Sequence, residues 1–231
     1  MLILAIDTAL DACAAGVLDT EGGRLIAQES LPMKRGHAEA LMPLIARVIE
    51  ASGSAFAALD RIAVTTGPGS FTGLRVGLSA ARGIALAAAK PVVGVTTLTA
   101  YAAPIVNKGG EHPVISAIDA RHGHVYLQVV AGTGSSLVWP RLASIEEALD
   151  AARFGPPHLV GNAAQILGQR WPADAPPLRI DAQPAPDIAW VGWLGAAVDP
   201  ETAPARPYYL RAPDAKPPKD MLQNASQPHV S

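Results

Sequence analysis

Apolar and polar positions follow two alternating patterns along the first hundred residues. Continuous apolar runs bounded by turn residues predict buried strands, while apolar residues three and four positions apart predict helices. By these patterns the chain begins with three strands, of which the first ends at Asp7, and continues with helices and strands in alternation. The predicted strands cover residues 2–6, 13–18, 25–30, 61–66 and 91–95, and the predicted helices cover residues 38–51, 72–89 and 97–106.

The same order of elements begins again near residue 113. Ser144 followed by Glu147 three residues later is a capping box, which marks the N-terminus of a helix. Residues 115–119 (Ile-Ser-Ala-Ile-Asp) match residues 3–7 (Ile-Leu-Ala-Ile-Asp) at four of five positions, which indicates an internal duplication. Besides the helix after Ser144, strands are predicted at residues 113–119, 124–131, 137–142 and 158–160, and helices at residues 162–169 and 187–198.

Two βββαβα halves, each with an aspartate at the end of its first strand, are typical of the actin-like and Hsp70-like ATPase architecture. We therefore predict an α/β fold of this ASKHA, ribonuclease H-like class, with a reduced second half. The predicted N-terminal subdomain covers residues 1–106 and the C-terminal subdomain covers residues 107–211. Proline-rich stretches at 172–186 and 200–218 predict loops or extended chain, and the tail at 212–231 is expected to be disordered.

The composition is that of an ordinary globular protein. Of 231 residues, 49% are hydrophobic and 16% charged, and the net charge of −2 gives no general attraction for nucleic acid. An RNA role therefore requires a local basic patch or a basic partner. No apolar run approaches the roughly 20 residues that span a bilayer, and the start lacks a basic leader region, which predicts a cytoplasmic protein. The single Cys13 excludes an intrachain disulfide and lies in an apolar stretch, as a buried cysteine does.

A glycine-rich turn precedes the helix at 72–89. Residues 65–77 read Thr-Thr-Gly-Pro-Gly-Ser-Phe-Thr-Gly-Leu-Arg-Val-Gly. Free N–H groups at the positive end of a helix suit an anion, so Gly69 and Ser70 are candidate contacts for a nucleotide phosphate. The turn lacks the Gly-Lys-Ser/Thr of a phosphate loop and misses Gly-x-Gly-x-x-Gly by one residue. A tight structural turn and a surface for a partner protein remain open as alternative interpretations.

Asp7 and Asp119 complete the candidate nucleotide site, because an actin-like ATPase places carboxylates near magnesium and phosphate at these strand ends. The loop after Asp7, residues 8–11, reads Thr-Ala-Leu-Asp, which contains no glycine and adds a negative charge. We therefore expect no tight ATP binding through this loop. Arg121 is expected either to pair with Asp119 or to contact an anion, and pairing is favoured.

Neither a catalytic group nor a metal site is predicted. His37 could supply one metal ligand from a helix, but the position one turn later is Leu41. No Ser-His-Asp arrangement typical of a hydrolase is found. Small residues along the helix at 72–89 instead indicate close contact with another helix, either the one at 38–51 or one from another chain.

Four motifs together resemble the TsaB (formerly YeaZ) family, and the resemblance extends over residues 1–211. The motifs are residues 3–8, 67–77, 118–121 and 209–211. The resemblance implies a role in making threonylcarbamoyladenosine at adenosine 37 of tRNAs that read codons beginning with A. It also implies a non-catalytic scaffolding and activating subunit, rather than an enzyme.

The resemblance further implies the partners. This subunit dimerises with a catalytic paralogue, TsaD, and an ATPase, TsaE, joins the complex. tRNA is approached only through that complex, and the isolated subunit forms a homodimer. The chain itself requires no cofactor, while ATP or ADP at an interface shared with the partner remains open.

Two helices carry the interface that the resemblance implies, those at 38–51 and 72–89. The predicted interface residues are His37, Leu41, Leu44, Ile45, Val48, Thr72, Gly73, Val76, Gly77, Ala80, Ala81 and Ile84.

Two alternatives to the role of a scaffolding subunit stay open: a stand-alone nucleotide-binding ATPase of the actin-like superfamily, and a glycoprotease-type peptidase.

Overall fold

The chain forms two five-stranded mixed sheets with helices packed on their faces. The computed structural model describes residues 1–211, so the predicted tail at 212–231 lies outside the described residues. The first half contains β1 (Leu2–Asp7), β2 (Ala12–Asp19), β3 (Arg24–Pro32), α1 (His37–Ala51), β4 (Arg61–Gly67), α2 (Phe71–Ala88), β5 (Val92–Thr96) and α3 (Thr97–Val106). The second half contains β6 (Val114–Arg121), β7 (His124–Val130), β8 (Ser136–Ser144), α4 (Ile145–Leu149), β9 (His158–Val160), α5 (Ala164–Gly168), β10 (Arg179–Asp181) and α6 (Ile188–Ala197).

Both sheets have the same strand order, which confirms the predicted duplication. The first sheet runs β3-β2-β1-β4-β5 and the second runs β8-β7-β6-β9-β10. In each sheet the first three strands pair antiparallel and the last two join in parallel. The second half is reduced as predicted: α4 and α5 have 5 residues each, against 15 in α1 and 18 in α2.

Local sequence signals explain most of the elements. The predicted capping box is confirmed, because Ser144 Oγ accepts a hydrogen bond from Glu147 N at 3.1 Å and Glu147 Oε2 accepts one from Ser144 N at 2.7 Å. Strand β10 was not predicted. It has only 3 residues and forms by parallel pairing with β9, so its stability comes from the edge of an existing sheet.

Helix α6 crosses back to the first half and covers the face of the first sheet opposite α1 and α2. Ile188 and Val191 pack there against residues of β1, β2, β4 and β5. The approach is close, since a Cβ at Gly195 would overlap the Ala63 side chain. The Arg61 side chain ends this helix, because its Nη1 donates to the carbonyls of Gly195, Ala196 and Val198 at 2.7, 3.2 and 2.7 Å.

Within residues 1–211, none of the helices combines the length and the apolar character that crossing a bilayer requires.

Candidate functional site

The carboxyl group of Asp7 lies at the end of β1 and is fully buried. Its Oδ1 accepts hydrogen bonds from Thr65 Oγ1 at 2.6 Å and from Ala9 N at 3.0 Å. Its Oδ2 has no hydrogen-bond partner among the described residues. Burial raises the pKa of Asp7, and the hydrogen bonds from Thr65 and Ala9 oppose that rise. The carboxyl is therefore enclosed by protein and is poorly placed to coordinate a magnesium ion.

The loop after Asp7 packs against the N-terminus of α2 and occupies the space in front of it. Ser70 N donates to the carbonyl oxygen of Ala9 at 2.7 Å, and Thr8 Oγ1 donates to the carbonyl oxygen of Gly73 at 2.7 Å. A Cβ at Gly69 would overlap the Ala9 carbonyl, and one at Gly73 would overlap the Thr8 carbonyl. These glycines thus admit the chain's own backbone, at the position where an anion would have to bind.

Ser70 caps the helix that follows the glycine-rich turn. Its Oγ accepts a hydrogen bond from Gly73 N at 3.3 Å, so it is the N-cap residue of α2. Of the three interpretations of the glycine-rich turn, the tight structural turn accounts for these contacts. For a phosphate to bind at Gly69 and Ser70, the Ala9 carbonyl would first have to move away from the N-terminus of α2.

The last described segment, residues 203–211, is named here the C-terminal strap. It begins at the edge of β5, where Gly94 N donates to Ala203 O at 2.9 Å. It then passes the end of β4, where Tyr208 N donates to Thr66 O at 2.8 Å. Arg211 Nη1 reaches the second half and donates to Ala120 O at 3.4 Å. The strap therefore joins the ends of β4 and β6 and links the two halves of the chain.

Asp119 differs from Asp7 because it is exposed. Its Oδ1 accepts a hydrogen bond from the backbone N of Arg121 at 2.7 Å, and its backbone N donates to Asn162 Oδ1 at 2.9 Å. The predicted pairing of the Arg121 guanidinium with Asp119 is wrong, because the contact uses the Arg121 backbone in a turn with φ of 63°. Asn162 was not predicted; its only signal is its position just after β9.

His37 is buried, and its Nε2 lies 3.2 Å from the carbonyl oxygen of Leu10, to which it donates when it carries the proton. Among residues 1–211, no group of three or more histidine, cysteine, aspartate and glutamate side chains is arranged to hold a metal. Cys13 is buried as predicted, and burial raises the pKa of its thiol to about 11. A thiol with such a pKa is a poor nucleophile at neutral pH.

The predicted interface residues divide into two groups. Thr72 is exposed, and Val76 and Ala80 are half-buried. The other nine are buried, but Leu41 and Ile84 among them still border the surface between the two helices. The remaining seven lie beneath that surface, which corrects the prediction that their side chains contact a partner directly; they are His37, Leu44, Ile45, Val48, Gly73, Gly77 and Ala81.

The exposed surface between the two helices is a long apolar groove, named here the α1–α2 groove. It consists of two adjoining depressions of about 540 and 580 Å³, which share Met42 and Ala80. Met42 is 48% exposed, and a Cβ at Gly83 would have no atom within 4 Å. The remaining lining residues are Ala38, Leu41, Phe56, Ala57, Phe71, Thr72, Arg75, Val76, Ser79, Ile84, Ala87 and Ala88.

Comparison with known proteins places this geometry in context. The family model described as TsaD, tRNA N6-adenosine threonylcarbamoyltransferase, matches residues 25–180. The tRNA threonylcarbamoyladenosine biosynthesis protein TsaB of Escherichia coli K12 is 40% identical over 126 residues, which cover 54% of this chain and 53% of that protein. The TsaB protein of Haemophilus influenzae is 35% identical over 130 residues, which cover 56% and 54%. The match thus spans about half the length of these curated relatives.

Two further comparisons extend over nearly the whole chain. An uncharacterised protein of Mycobacterium tuberculosis H37Rv is 32% identical over 223 residues, which cover 93% of this chain and 94% of that protein. The solved structure of YeaZ from Pseudomonas aeruginosa has a TM-score of 0.75 and 28% identity, and the match covers 90% of this chain and 99% of that one.

Proposed function

This chain belongs to the TsaB (YeaZ) family, and we propose that it is a non-catalytic subunit in the biosynthesis of threonylcarbamoyladenosine in tRNA. The substrate position is adenosine 37 of tRNAs that read codons beginning with A. The chain scaffolds and activates a transferase and does not itself transfer the group. Both its family membership and the missing chemistry at its own cleft support this role.

The observation that carries the proposal is the occupied N-terminus of α2. In an ATPase of this fold, that helix end and the first strand's aspartate would need to face phosphate and magnesium. Here the Ala9 carbonyl accepts the hydrogen bond of Ser70 N, and Asp7 is buried beneath the same loop. Because the chain's own loop closes this site to phosphate and magnesium, the chain is suited to a non-catalytic role.

The α1–α2 groove is the surface that we assign to the partner. It is mostly apolar and open, and alanines and Gly83 line much of it, so a helix of another protein can approach it closely. We propose that the partner is TsaD, that TsaE joins the pair, and that tRNA is reached through the complex. When TsaD is absent, a second copy occupies the same groove. The chain needs no cofactor of its own, and ATP or ADP binds only at a surface shared with the partner.

A reconstituted transfer assay tests the proposal. Purified TsaD from the same organism is combined with TsaE and tRNA, and transfer of the threonylcarbamoyl group to tRNA is measured with and without this chain. We expect transfer to require this chain. Equal transfer in its absence would refute the proposal, and ATP turnover by this chain alone would favour the stand-alone ATPase instead.

A further inference from the structure

An arginine and two aromatic rings form a stack at one end of the α1–α2 groove. The guanidinium carbon of Arg75 lies 3.8 Å from the centre of the Phe71 ring. The Phe71 ring in turn lies 5.4 Å from the ring of Tyr209, at an interplanar angle of 33°. Phe71 is 36% exposed and Tyr209 is 42% exposed, so the stack faces outward. Arg75 and Phe71 both line the groove.

The hydrogen-bond donors of Arg75 are unused within residues 1–211, where no hydrogen bond or ion pair reaches its guanidinium. Arg82, two turns further along α2, is different, because its guanidinium donates to the carbonyl of Ala205. A guanidinium that lies over a ring keeps its N–H groups directed outward in the plane, and the ring limits its rotation. Arg75 is therefore held in an orientation in which its donors can form a two-point contact with a carboxylate.

The charge of α2 disfavours a second α2 as the helix opposite Arg75 and favours a helix that carries a carboxylate. Helix α2 carries two arginines, Arg75 and Arg82, and no acidic residue. A second copy that placed its own α2 against this groove would bring a further guanidinium and no carboxylate towards Arg75. The apolar lining of the groove suits a helix, whereas a nucleic acid backbone would require cationic side chains along it.

We propose that Arg75 is the polar anchor of the α1–α2 groove, and that it binds a carboxylate on the helix of TsaD that lies in the groove. This inference rests on the proposed function, because that function supplies the partner. Arginine and aromatic residues dominate the binding energy of many interfaces when an apolar surround excludes water from them. The stack has that composition, and the groove provides that surround.

Tyr209 is the positioning residue of this anchor. The C-terminal strap carries it, and the strap is fixed to α2 by the contact of Arg82 with Ala205 and to β4 by the hydrogen bond from Tyr208 N to Thr66 O. The Tyr209 ring limits the movement of the Phe71 ring, on which Arg75 lies. We therefore expect removal of the Tyr209 ring to weaken partner binding less than removal of Arg75 does.

Titration calorimetry with purified TsaD from the same organism tests the anchor. The variants are Arg75→Ala, Arg75→Lys and Tyr209→Ala. The matched control is Arg153→Ala, because Arg153 forms a comparable stack, 4.7 Å from the ring of Phe154, on an exposed part of the second half. We expect Arg75→Ala to weaken binding about 10- to 100-fold, which corresponds to the loss of an interface hot spot.

The other variants separate charge from geometry. Arg75→Lys keeps the charge but loses the two-point contact, so it should recover less than half of the lost binding free energy. Arg75→Ala should also reduce the dependence of affinity on salt, and Arg153→Ala should bind within twofold of the unmodified protein. Tyr209→Ala should weaken binding roughly three- to tenfold. Thermal unfolding checks that each variant is folded, and Arg75→Gln is the replacement should Arg75→Ala be unstable.

Four results would overturn the anchor. If the unmodified chain binds TsaD while Arg75→Ala and Arg75→Gln bind equally well with unchanged salt dependence, only the anchor fails. If these variants lose self-association in sedimentation experiments but keep TsaD binding, the occupant is a second copy; if they lose binding to the tRNA alone, it is RNA. Absence of TsaD binding by the unmodified chain would remove the proposed function as well.

Discussion

Gly83 offers a way to block the α1–α2 groove without disturbing the fold. It lies in the middle of α2 and lines the groove, and a side chain at this position would meet no atom of the chain within 4 Å. Gly83→Leu should therefore place a branched side chain in the groove. Because glycine is a poor helix former, the same change should raise the free energy of unfolding by about 0.5–1 kcal/mol.

The affinity for the partner should fall, even though the stability of the fold rises. A leucine inserted between closely packed helices costs about 1–3 kcal/mol, which is roughly a 5- to 150-fold loss of affinity. Calorimetry with TsaD measures the binding, and urea unfolding measures the stability. Gly83→Ala is the matched control, because it gains the same helix propensity and adds only a methyl group. Gln165→Leu controls for an added exposed leucine on α5, away from the groove.

Gly77 is a less suitable position than Gly83 for this test. It was predicted as an interface residue, but a Cβ there would overlap Thr8 Oγ1, which holds the loop after Asp7 to α2. Gly77→Leu should lower stability and binding together, so it cannot distinguish a blocked interface from a damaged fold. Gly83→Leu can. Binding of TsaD by folded Gly83→Leu with unchanged affinity would refute the assignment of the groove.

Three further changes test the supports of the site. Arg61→Ala removes the hydrogen bonds that end α6 and should lower the free energy of unfolding by about 1–3 kcal/mol in urea titrations. Gly69→Ala forces a methyl group against the Ala9 carbonyl and should cost about 1–3 kcal/mol, seen as a lower thermal midpoint. The pKa of Asp7 is raised above 3.8 in the folded protein, so the folded state binds more protons and stability from this group falls as the pH rises through that pKa. Asp7→Asn should remove this decline from a series of unfolding curves at different pH. An unchanged decline would assign it to other groups.

Sequence patterns predicted the elements where local signals are strong. The helix at 97–106 and the strand at 158–160 were predicted with the bounds that the structure has. The strand at 179–181 was missed, since its pairing with β9 supplies what its own 3 residues lack. The return of α6 to the first sheet depends on contacts between distant residues such as Arg61 and Val198, which no local pattern contains.

The candidate site was predicted less completely, for a physical reason. Glycines at 69 and 73 leave room for a close approach to the backbone, and a phosphate and a carbonyl group make the same steric demand. Only the fold identifies the approaching atoms as the carbonyls of Thr8 and Ala9. Helical periodicity likewise marks the apolar face of a helix but does not tell whether a sheet or a partner covers it. Leu44 and Ile45 face the core, whereas Met42 faces the groove.

The return of α6 also has a consequence for the order of events during synthesis. Ile3, Ala5 and Val93 belong to the first half, yet their cover includes Ile188 and Val191. At translation rates of about 5–20 residues per second, the ribosome needs roughly 5–20 s to proceed from α3 to α6. During that interval α3 covers only part of this face of the first sheet, and the rest is available to chaperones or to other nascent chains. The first half is therefore made early but is completed only when the end of the chain arrives.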